Sequence, residues 1–144
     1  MESGTLPLVL VAACVLLDGE GRILIAKRPE GRSLAGLWEF PGGKVEPGED
    51  PRAALERELR EELNVQAVIG DEMDSYEVRY SDGFRARLHF YYVAEFQGEP
   101  RNLDFEQIEW EQPARLPQYD FLEGDLSFVS KLAHWPAQGT AEQR

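Results

Sequence analysis

The sequence has little of what extracellular and membrane proteins rely on. It contains a single cysteine, Cys14, which excludes an internal disulfide and indicates a reducing compartment. Its most apolar stretch, residues 6–17, is too short to span a bilayer, and the residues before it include neither Lys nor Arg, which a secretory signal peptide would carry. We therefore predict a cytoplasmic protein without a membrane partner, in which Cys14 is buried in a strand.

Positive charge is scarce as well. The chain has 15 Lys and Arg residues against 27 Asp and Glu residues, a formal net charge of -12. This balance argues against binding to a nucleic acid polymer, because proteins that bind polyanions through bulk charge present a basic face. A small anionic partner would need positive charge from outside the chain, which a divalent metal ion would supply.

Length and composition fit one globular domain. The chain has 144 residues, of which 42% are hydrophobic, enough to bury a core. We predict a single domain over residues 1–135 and a disordered tail over residues 136–144. The protein is predicted to be a monomer or a homodimer.

Strands and two helices are predicted along the chain. Apolar and β-branched runs predict strands over residues 7–17, 22–28, 37–40, 65–70, 74–80, 85–96 and 107–112. The first helix is predicted over residues 51–63, with Asp50 as N-cap and Asn64 in a left-handed conformation at its end. A second helix is predicted over residues 126–135, capped by Asp125. This order favours the α/β class, with a mixed sheet covered by helices.

The first predicted helix carries Glu58, Glu61 and Glu62 on one face, because successive helical residues turn by about 100°. Arg57 is expected to point away from them and to leave their repulsion largely in place. One interpretation is a Glu-rich surface in solvent. The other is a hard, oxygen-rich site for Mg²⁺ or Mn²⁺, whose charge would offset the repulsion. Gly43 would allow the backbone to approach the same place, so that its carbonyl could join the ion.

These residues belong to a longer pattern, "GGKVEPGEDPRAALERELREELNV", residues 42–65, which resembles the Nudix box. The matching residues are Gly43, Glu49, Arg57, Glu58, Leu59, Glu61, Glu62 and Val65. Asn64 stands where the family has Gly, a departure at the helix end and not in the chemistry. The preceding "AKRPEGRSLAGLWEF" is similar to the MutT and CTP pyrophosphohydrolase-like branch.

The resemblance implies a Nudix α/β/α sandwich, with a mixed sheet between helices, and a Mg²⁺-dependent hydrolase in which Mn²⁺ can substitute. The expected substrate is a normal or damaged nucleoside triphosphate, cleaved to the monophosphate and pyrophosphate in nucleotide sanitation linked to DNA repair. The implied metal site consists of Gly43, Glu58, Glu61 and Glu62, with Glu58 as the base that activates water and Glu61 as a further catalytic acid.

Further roles are assigned by analogy with the family. Glu106 and Glu109 are candidates for a catalytic acid from a distant loop, although plain surface positions are equally open. Glu49 is expected to support the helix start, and Arg57 to form a bidentate pair with it or with a ligand carboxylate. Arg28 is expected to meet the phosphates.

Three more residues complete the predicted substrate site. Lys44 is a second phosphate candidate, and Asp125 and Phe40 are candidates for binding the base, although Phe40 also fits a core position. An ionised Asp125 would pair with the two donors of guanine, whereas the resemblance at this position favours cytosine, so both bases are left open. Another nucleoside diphosphate derivative, such as a nucleotide sugar or a dinucleoside polyphosphate, is an alternative substrate. A nucleotide-sensing domain without turnover is an alternative function.

Overall fold

The computed structural model describes residues 8–80 and 83–134, where nine strands and two α-helices lie. The strands are β1 (Leu8–Leu16), β2 (Ile23–Lys27), β3 (Trp38–Glu39), β4 (Gly42–Lys44), β5 (Gln66–Val68), β6 (Glu72–Arg79), β7 (Arg85–Val93), β8 (Glu95–Gln97) and β9 (Gln107–Glu111). The helices are α1 (Pro51–Leu63) and α2 (Leu126–Ala133), and two short 3₁₀ helices, Pro113–Gln118 and Glu123–Asp125, precede α2.

The strands form one mixed sheet and two smaller sheets. The mixed sheet has the order β4-β1-β7-β6, and β1 runs parallel to β7 from Leu8 opposite Arg85 to Leu16 opposite Val93. The second sheet, β3-β2-β9, is antiparallel, and β5 pairs with β8 in a two-stranded ribbon.

Both faces of the second half of strand β1, residues 12–16, are buried, each under a different helix. Val15 packs in a cluster that contains Phe128 and Leu132 of α2. Cys14 points to the opposite side, into a cluster that contains Leu55 and Leu59 of α1. Because neighbouring strand residues face opposite sides, the sheet separates the two helices. The predicted α/β/α sandwich is confirmed.

Helix α1 has the predicted ends. The Asp50 carboxylate accepts hydrogen bonds from the backbone N–H groups of Arg52 and Ala53, at 3.1 and 3.2 Å. Asn64 is left-handed, with φ 59° and ψ 38°, and its N–H donates to the Arg60 carbonyl at 3.1 Å. These caps fix the helix relative to the glycines that precede it.

Three details of the predicted elements are wrong. Strand β4 was not expected, because Gly is a poor strand former, yet its backbone pairs with β1 from Val11 opposite Lys44 to Ala13 opposite Gly42. The predicted strand over residues 85–96 is two strands, since β7 ends before Ala94 and β8 pairs elsewhere. Asp125 is not a side-chain cap of α2, because its backbone is already helical (φ -92°, ψ -8°) and its carboxyl makes no capping bond.

The predicted tail over residues 136–144 lies outside the described residues. Across the described ranges, no helix combines the length and the apolar character that crossing a bilayer would require.

Candidate active site

Two glutamates of helix α1 form the centre of the site. Glu62 is only 8% exposed, and its carboxyl hydrogen-bonds that of Glu58, one helical turn away. Burial, followed by the negative charges of Glu58 and Glu39, raises the pKa of Glu62 to about 9. Against this, the Gly42 N–H donates to the Glu62 Oε1 atom at 3.3 Å. The pair therefore holds a proton at neutral pH or needs a cation in its place.

The two glycines of strand β4 make room for these acids. A Cβ atom on Gly43 would lie 2.5 Å from the Glu58 Cδ atom, so any side chain there would displace the carboxylate. Gly42 has φ 151°, and a Cβ atom there would collide with the Ala12 carbonyl in β1. Both positions require glycine for close approach.

Arg57 holds three acids together, contrary to the expectation that it points away from them. Its Nε and Nη2 atoms donate to the two carboxylate oxygens of Glu49 at 3.1 and 3.0 Å, the predicted bidentate pair. Its Nη1 atom lies 3.1 Å from the Glu58 Oε2 atom and 3.6 Å from the Glu61 Oε1 atom. The Arg57 hydrogen bond lowers the pKa of Glu49 below its usual range, and the Glu46 N–H adds to the effect. Arg57 thus fixes the orientation of Glu58.

The described residues do not gather three metal-ligating side chains at one point. Glu61 is 59% exposed and lies beside Arg57, whereas Glu58 and Glu62 touch each other. The donor set nevertheless fits a hard divalent ion, because two carboxylates share a mostly buried position where Arg57 contacts only Glu58 and the Gly42 N–H offsets only part of the charge of Glu62. Glu61 would complete the set by turning from Arg57 toward the pair.

A second buried acid, Glu39, lies near the first pair. It pairs in β3 with Ala26 of β2, which faces helix α1. Its Oε1 atom accepts from the Arg28 Nη1 atom at 3.0 Å, and Arg28 also donates to the Ser33 carbonyl at 2.9 Å. Burial raises the pKa of Glu39 despite the charge of Arg28. The predicted phosphate ligand Arg28 is therefore engaged inside the fold.

Asp125 occupies a separate buried position. It is 8% exposed, and burial, followed by the charge of Glu39, raises its pKa to about 8. The backbone N–H of Phe40 hydrogen-bonds its carboxyl, and the charge of Arg28 acts in the same, lowering direction. Burial, followed by the negative charge of Asp125, raises the pKa of Tyr76, whose hydroxyl donates to the Gly124 carbonyl at 2.8 Å. Asp125 therefore lies in an apolar, aromatic environment at the entry to α2.

A match to a family model identifies the protein family of this chain. The model of the NUDIX domain matches residues 7–132. The chain belongs to the NUDIX family. The CTP pyrophosphohydrolase of Escherichia coli K12 is 37% identical over 133 residues, which cover 90% of this chain and 98% of that one. A putative 8-oxo-dGTP diphosphatase 2 of Mycobacterium tuberculosis H37Rv is 38% identical over 116 residues, covering 77% and 79% of the two chains.

Solved structures agree with this assignment. The solution structure of the E. coli ORF135 protein superposes with a TM-score of 0.79 and 36% identity, over 93% of this chain and 95% of that one. Nudix hydrolases in general need a divalent metal ion. The acid pair of Glu58 and Glu62 and the glycines of β4 lie within the matched domain.

Two further predicted site residues, Lys44 and Phe40, differ in their exposure to solvent. Lys44 is exposed and, within the part of the chain that the structure describes, makes no ion pair or hydrogen bond of its side chain. Phe40 is 3% exposed and stacks on Phe121 in the core, at 5.2 Å between ring centroids. Its ring position does not support a stacking role, whereas its backbone holds Asp125.

Within the described residues, no contact joins either candidate for a loop acid, Glu106 or Glu109, to the pair. Glu109 pairs with Ile25, whose side chain packs on the α2 side of the sheet, so Glu109 faces away from α1. Glu106 is exposed, and its backbone N–H donates to the Lys27 carbonyl. Asp104, which sequence reasoning missed, follows Leu103, whose N–H donates to the Glu62 carbonyl at 3.1 Å. The position of Asp104 two residues before Glu106, a candidate for the loop acid, is the sequence feature that could have pointed to it.

Proposed function

We propose that this chain is a Mg²⁺-dependent nucleoside triphosphate pyrophosphohydrolase, which converts a triphosphate and water to the monophosphate and pyrophosphate. The observation that carries the proposal is the buried contact between Glu58 and Glu62 beside Gly42 and Gly43. Such a pair is costly unless a cation or a proton neutralises it. The names of the similar proteins, which act on triphosphates, support the same reaction.

The residues divide the chemical work. A divalent ion bound by the box acids would screen the phosphate charge and lower the pKa of a bound water. Glu58 is the proposed proton acceptor for the attacking water, because Arg57 fixes its Oε2 atom at 3.1 Å and Glu62 adjoins it. Glu49 holds Arg57 in place. Lys44 is the proposed phosphate ligand, since its ammonium group is exposed and has no described partner.

We further propose that the base is cytosine or a modified cytosine. A protonated carboxyl has one donor and one acceptor, which match the N3 atom and the 4-amino group of cytosine. Guanine and its 8-oxo form offer two adjacent donors and would require the charged form. The pKa of about 8 keeps Asp125 protonated at neutral pH, which favours cytosine. The similarity to a CTP pyrophosphohydrolase supports the same choice.

Pyrophosphate release from a nucleotide panel tests the proposal. The panel contains CTP, dCTP, 5-methyl-dCTP, GTP and 8-oxo-dGTP, with a nucleotide sugar and a dinucleoside polyphosphate for the alternative substrates. We expect the highest kcat/KM for cytosine triphosphates, with Mg²⁺ required and the Glu62→Gln variant inactive. Turnover in excess chelator would refute the metal requirement. Absence of turnover on all substrates would favour a nucleotide-sensing domain, and preference for a guanine nucleotide would overturn the choice of base.

A further inference from the structure

Two loops flank the end of the β2–β9 strand pair where Lys27 lies opposite Gln107, and both are anchored to the fold by backbone hydrogen bonds. The first, residues 28–37, is closed by hydrogen bonds between the backbones of Arg28 and Leu37 and of Gly36 and Arg28, both at 2.9 Å. The second, residues 98–106, is held by the Leu103 N–H on the Glu62 carbonyl at 3.1 Å. We call the two loops the first and the second flanking loop.

An ion pair joins the exposed parts of these loops. The Arg32 Nη1 atom of the first flanking loop lies 3.1 Å from the Asp104 Oδ2 atom of the second. The two side chains are 45% and 49% exposed. An exposed pair of this kind contributes little to stability, so a stronger anionic ligand can replace the carboxylate at little cost.

The pair lies within electrostatic reach of the site. The charge of Arg32 acts to lower the pKa of buried Glu39 and that of Asp104 acts to raise it. Glu39 in turn acts on Glu62. Asp104 follows directly after Leu103, which is bonded to the backbone of Glu62. Arg32 and Asp104 therefore lie on the side of the fold that carries Glu39, and their contact is joined to helix α1 through the backbone bond between Leu103 and Glu62.

Two other arginines near the site, Arg28 and Arg57, are held by internal partners. Arg28 is bound to Glu39 and Ser33 and its side chain is 16% exposed. Arg57 is bound to both Glu49 and Glu58. A triphosphate that approaches this acidic site needs cationic partners, and Arg32 combines an exposed guanidinium with a partner that is easily exchanged.

We propose that Arg32 is a phosphate-binding arm, which rests on Asp104 in the nucleotide-free protein and transfers to the phosphate chain of the bound nucleoside triphosphate. The inference rests on the proposed function and adds a substrate-binding residue to it. A planar guanidinium binds phosphate oxygens bidentately, whereas its present contact with Asp104 is through one nitrogen. The exchange also separates the two flanking loops, because it removes the contact that joins their exposed parts.

Binding of the α,β-methylene analogue of CTP, measured by calorimetry with Mg²⁺ present, tests the arm without turnover. Arg32→Ala should weaken analogue binding by roughly tenfold, the loss of one charge-assisted contact, and should weaken CMP binding by less than about twofold. Arg32→Lys should restore part of the affinity, since it keeps the charge and loses the fork. Asp104→Asn should tighten analogue binding by about two- to fivefold, because it removes the competing carboxylate.

Arg115→Ala is the matched control. Arg115 is also an exposed arginine with a carboxylate partner, Glu111, at 3.1 Å. Because it lies in the 3₁₀ helix before α2 and outside both flanking loops, its loss should leave analogue binding unchanged. If Arg32→Ala binds the analogue with an affinity within about twofold of that of the unmodified protein, Arg32 does not bind the phosphate chain. The proposed function would still stand in that case. Weaker binding of the analogue by Asp104→Asn would show that Arg32 does not transfer from Asp104 to the phosphate chain. Failure of the unmodified protein to bind the analogue, together with no turnover of any triphosphate, would overturn both the arm and the function.

Discussion

Glu62 and Asp125 are buried to the same extent, and both have a raised pKa, but their surroundings differ. Glu62 contacts a second carboxyl, Glu58, beside two glycines whose lack of side chains allows the close approach of the Glu58 carboxylate and of strand β1. Asp125 lies near tyrosines and one backbone N–H. Two adjacent acids can bind a divalent ion, whereas a lone buried acid is neutralised by one proton.

Under the proposed function, this difference assigns the two acids two different tasks. The acid pair on α1 is suited to charge neutralisation during phosphate chemistry, and Asp125 is suited to a neutral, directional contact with a base. Substitutions at the two positions should therefore have effects of different kinds as well as different sizes.

The largest expected effect is at the acid pair. Glu62→Gln and Glu61→Gln should each lower kcat by roughly 10²-fold or more, because each removes a negative charge that meets the metal ion. The melting temperature should not fall, since loss of a buried charge relieves repulsion at Glu62. Glu56→Gln, on the exposed side of the same helix, is the control. Near-normal rates for both variants would show that these two glutamates do not hold the metal ion.

At Asp125 we expect a change in selectivity. Asp125→Ala should change the ratio of kcat/KM between cytosine and guanine triphosphates by about tenfold, because it removes a hydrogen-bonding group that discriminates the two bases. The Mg²⁺ concentration for half-maximal rate should stay the same. Glu123→Gln removes an exposed acid two residues away and should change neither value. Equal losses of kcat/KM for triphosphates of every base would show that Asp125 does not recognise the base.

Stability should depend on pH through the same residue. The pKa of Asp125 is raised from 3.8 to about 8, so the folded state holds this proton more tightly than the unfolded state. The stabilisation is complete below about pH 4 and is lost as the pH rises toward 8. Asp125→Asn should flatten this decline and raise the melting temperature at pH 8 by roughly 2–4 °C. An unchanged slope between pH 5 and pH 8, measured by thermal denaturation without metal, would contradict the raised pKa.

The smallest expected effect is at the end of α1. Asn64 is left-handed, a conformation that costs glycine less than asparagine. Asn64→Gly should hold the free energy of unfolding or raise it by a few tenths to about 1 kcal/mol, with no change in kcat. Urea denaturation measures this difference. A clear loss of stability would mean that the Asn64 side chain makes a bond that glycine cannot replace.

Much of the fold was predictable because local chemistry decides it. Asp50 before a proline marks the start of α1, Asn64 marks its end, and alternating apolar runs mark the strands. Strand β4 was not predictable in this way. Gly42 and Gly43 form it only because the backbone of β1 lies alongside, a pairing between distant segments that overrides local propensity.

The candidate site shows the same contrast between features set by local sequence and features set by contacts between distant segments. Its acids were found from their spacing on one helix, and the pair between Glu49 and Arg57 was expected. The contact of Arg57 with Glu58 and Glu61 was missed because helix geometry alone does not fix the rotamer of a long side chain. Buried Glu39 and the position of Asp104 depend on how separate loops meet, which residue spacing does not contain.

Titration of the nucleotide-free protein with Mn²⁺ at pH 7.5, followed by calorimetry, tests most directly whether an ion neutralises the acid pair and a proton neutralises Asp125. Glu62→Gln should weaken Mn²⁺ binding by about tenfold or more, and Asp125→Asn should leave it within about twofold of the unmodified protein. Equal Mn²⁺ affinity in the unmodified protein and in Glu62→Gln, or a comparable loss in Asp125→Asn, would contradict the assignment of the two acids to different tasks.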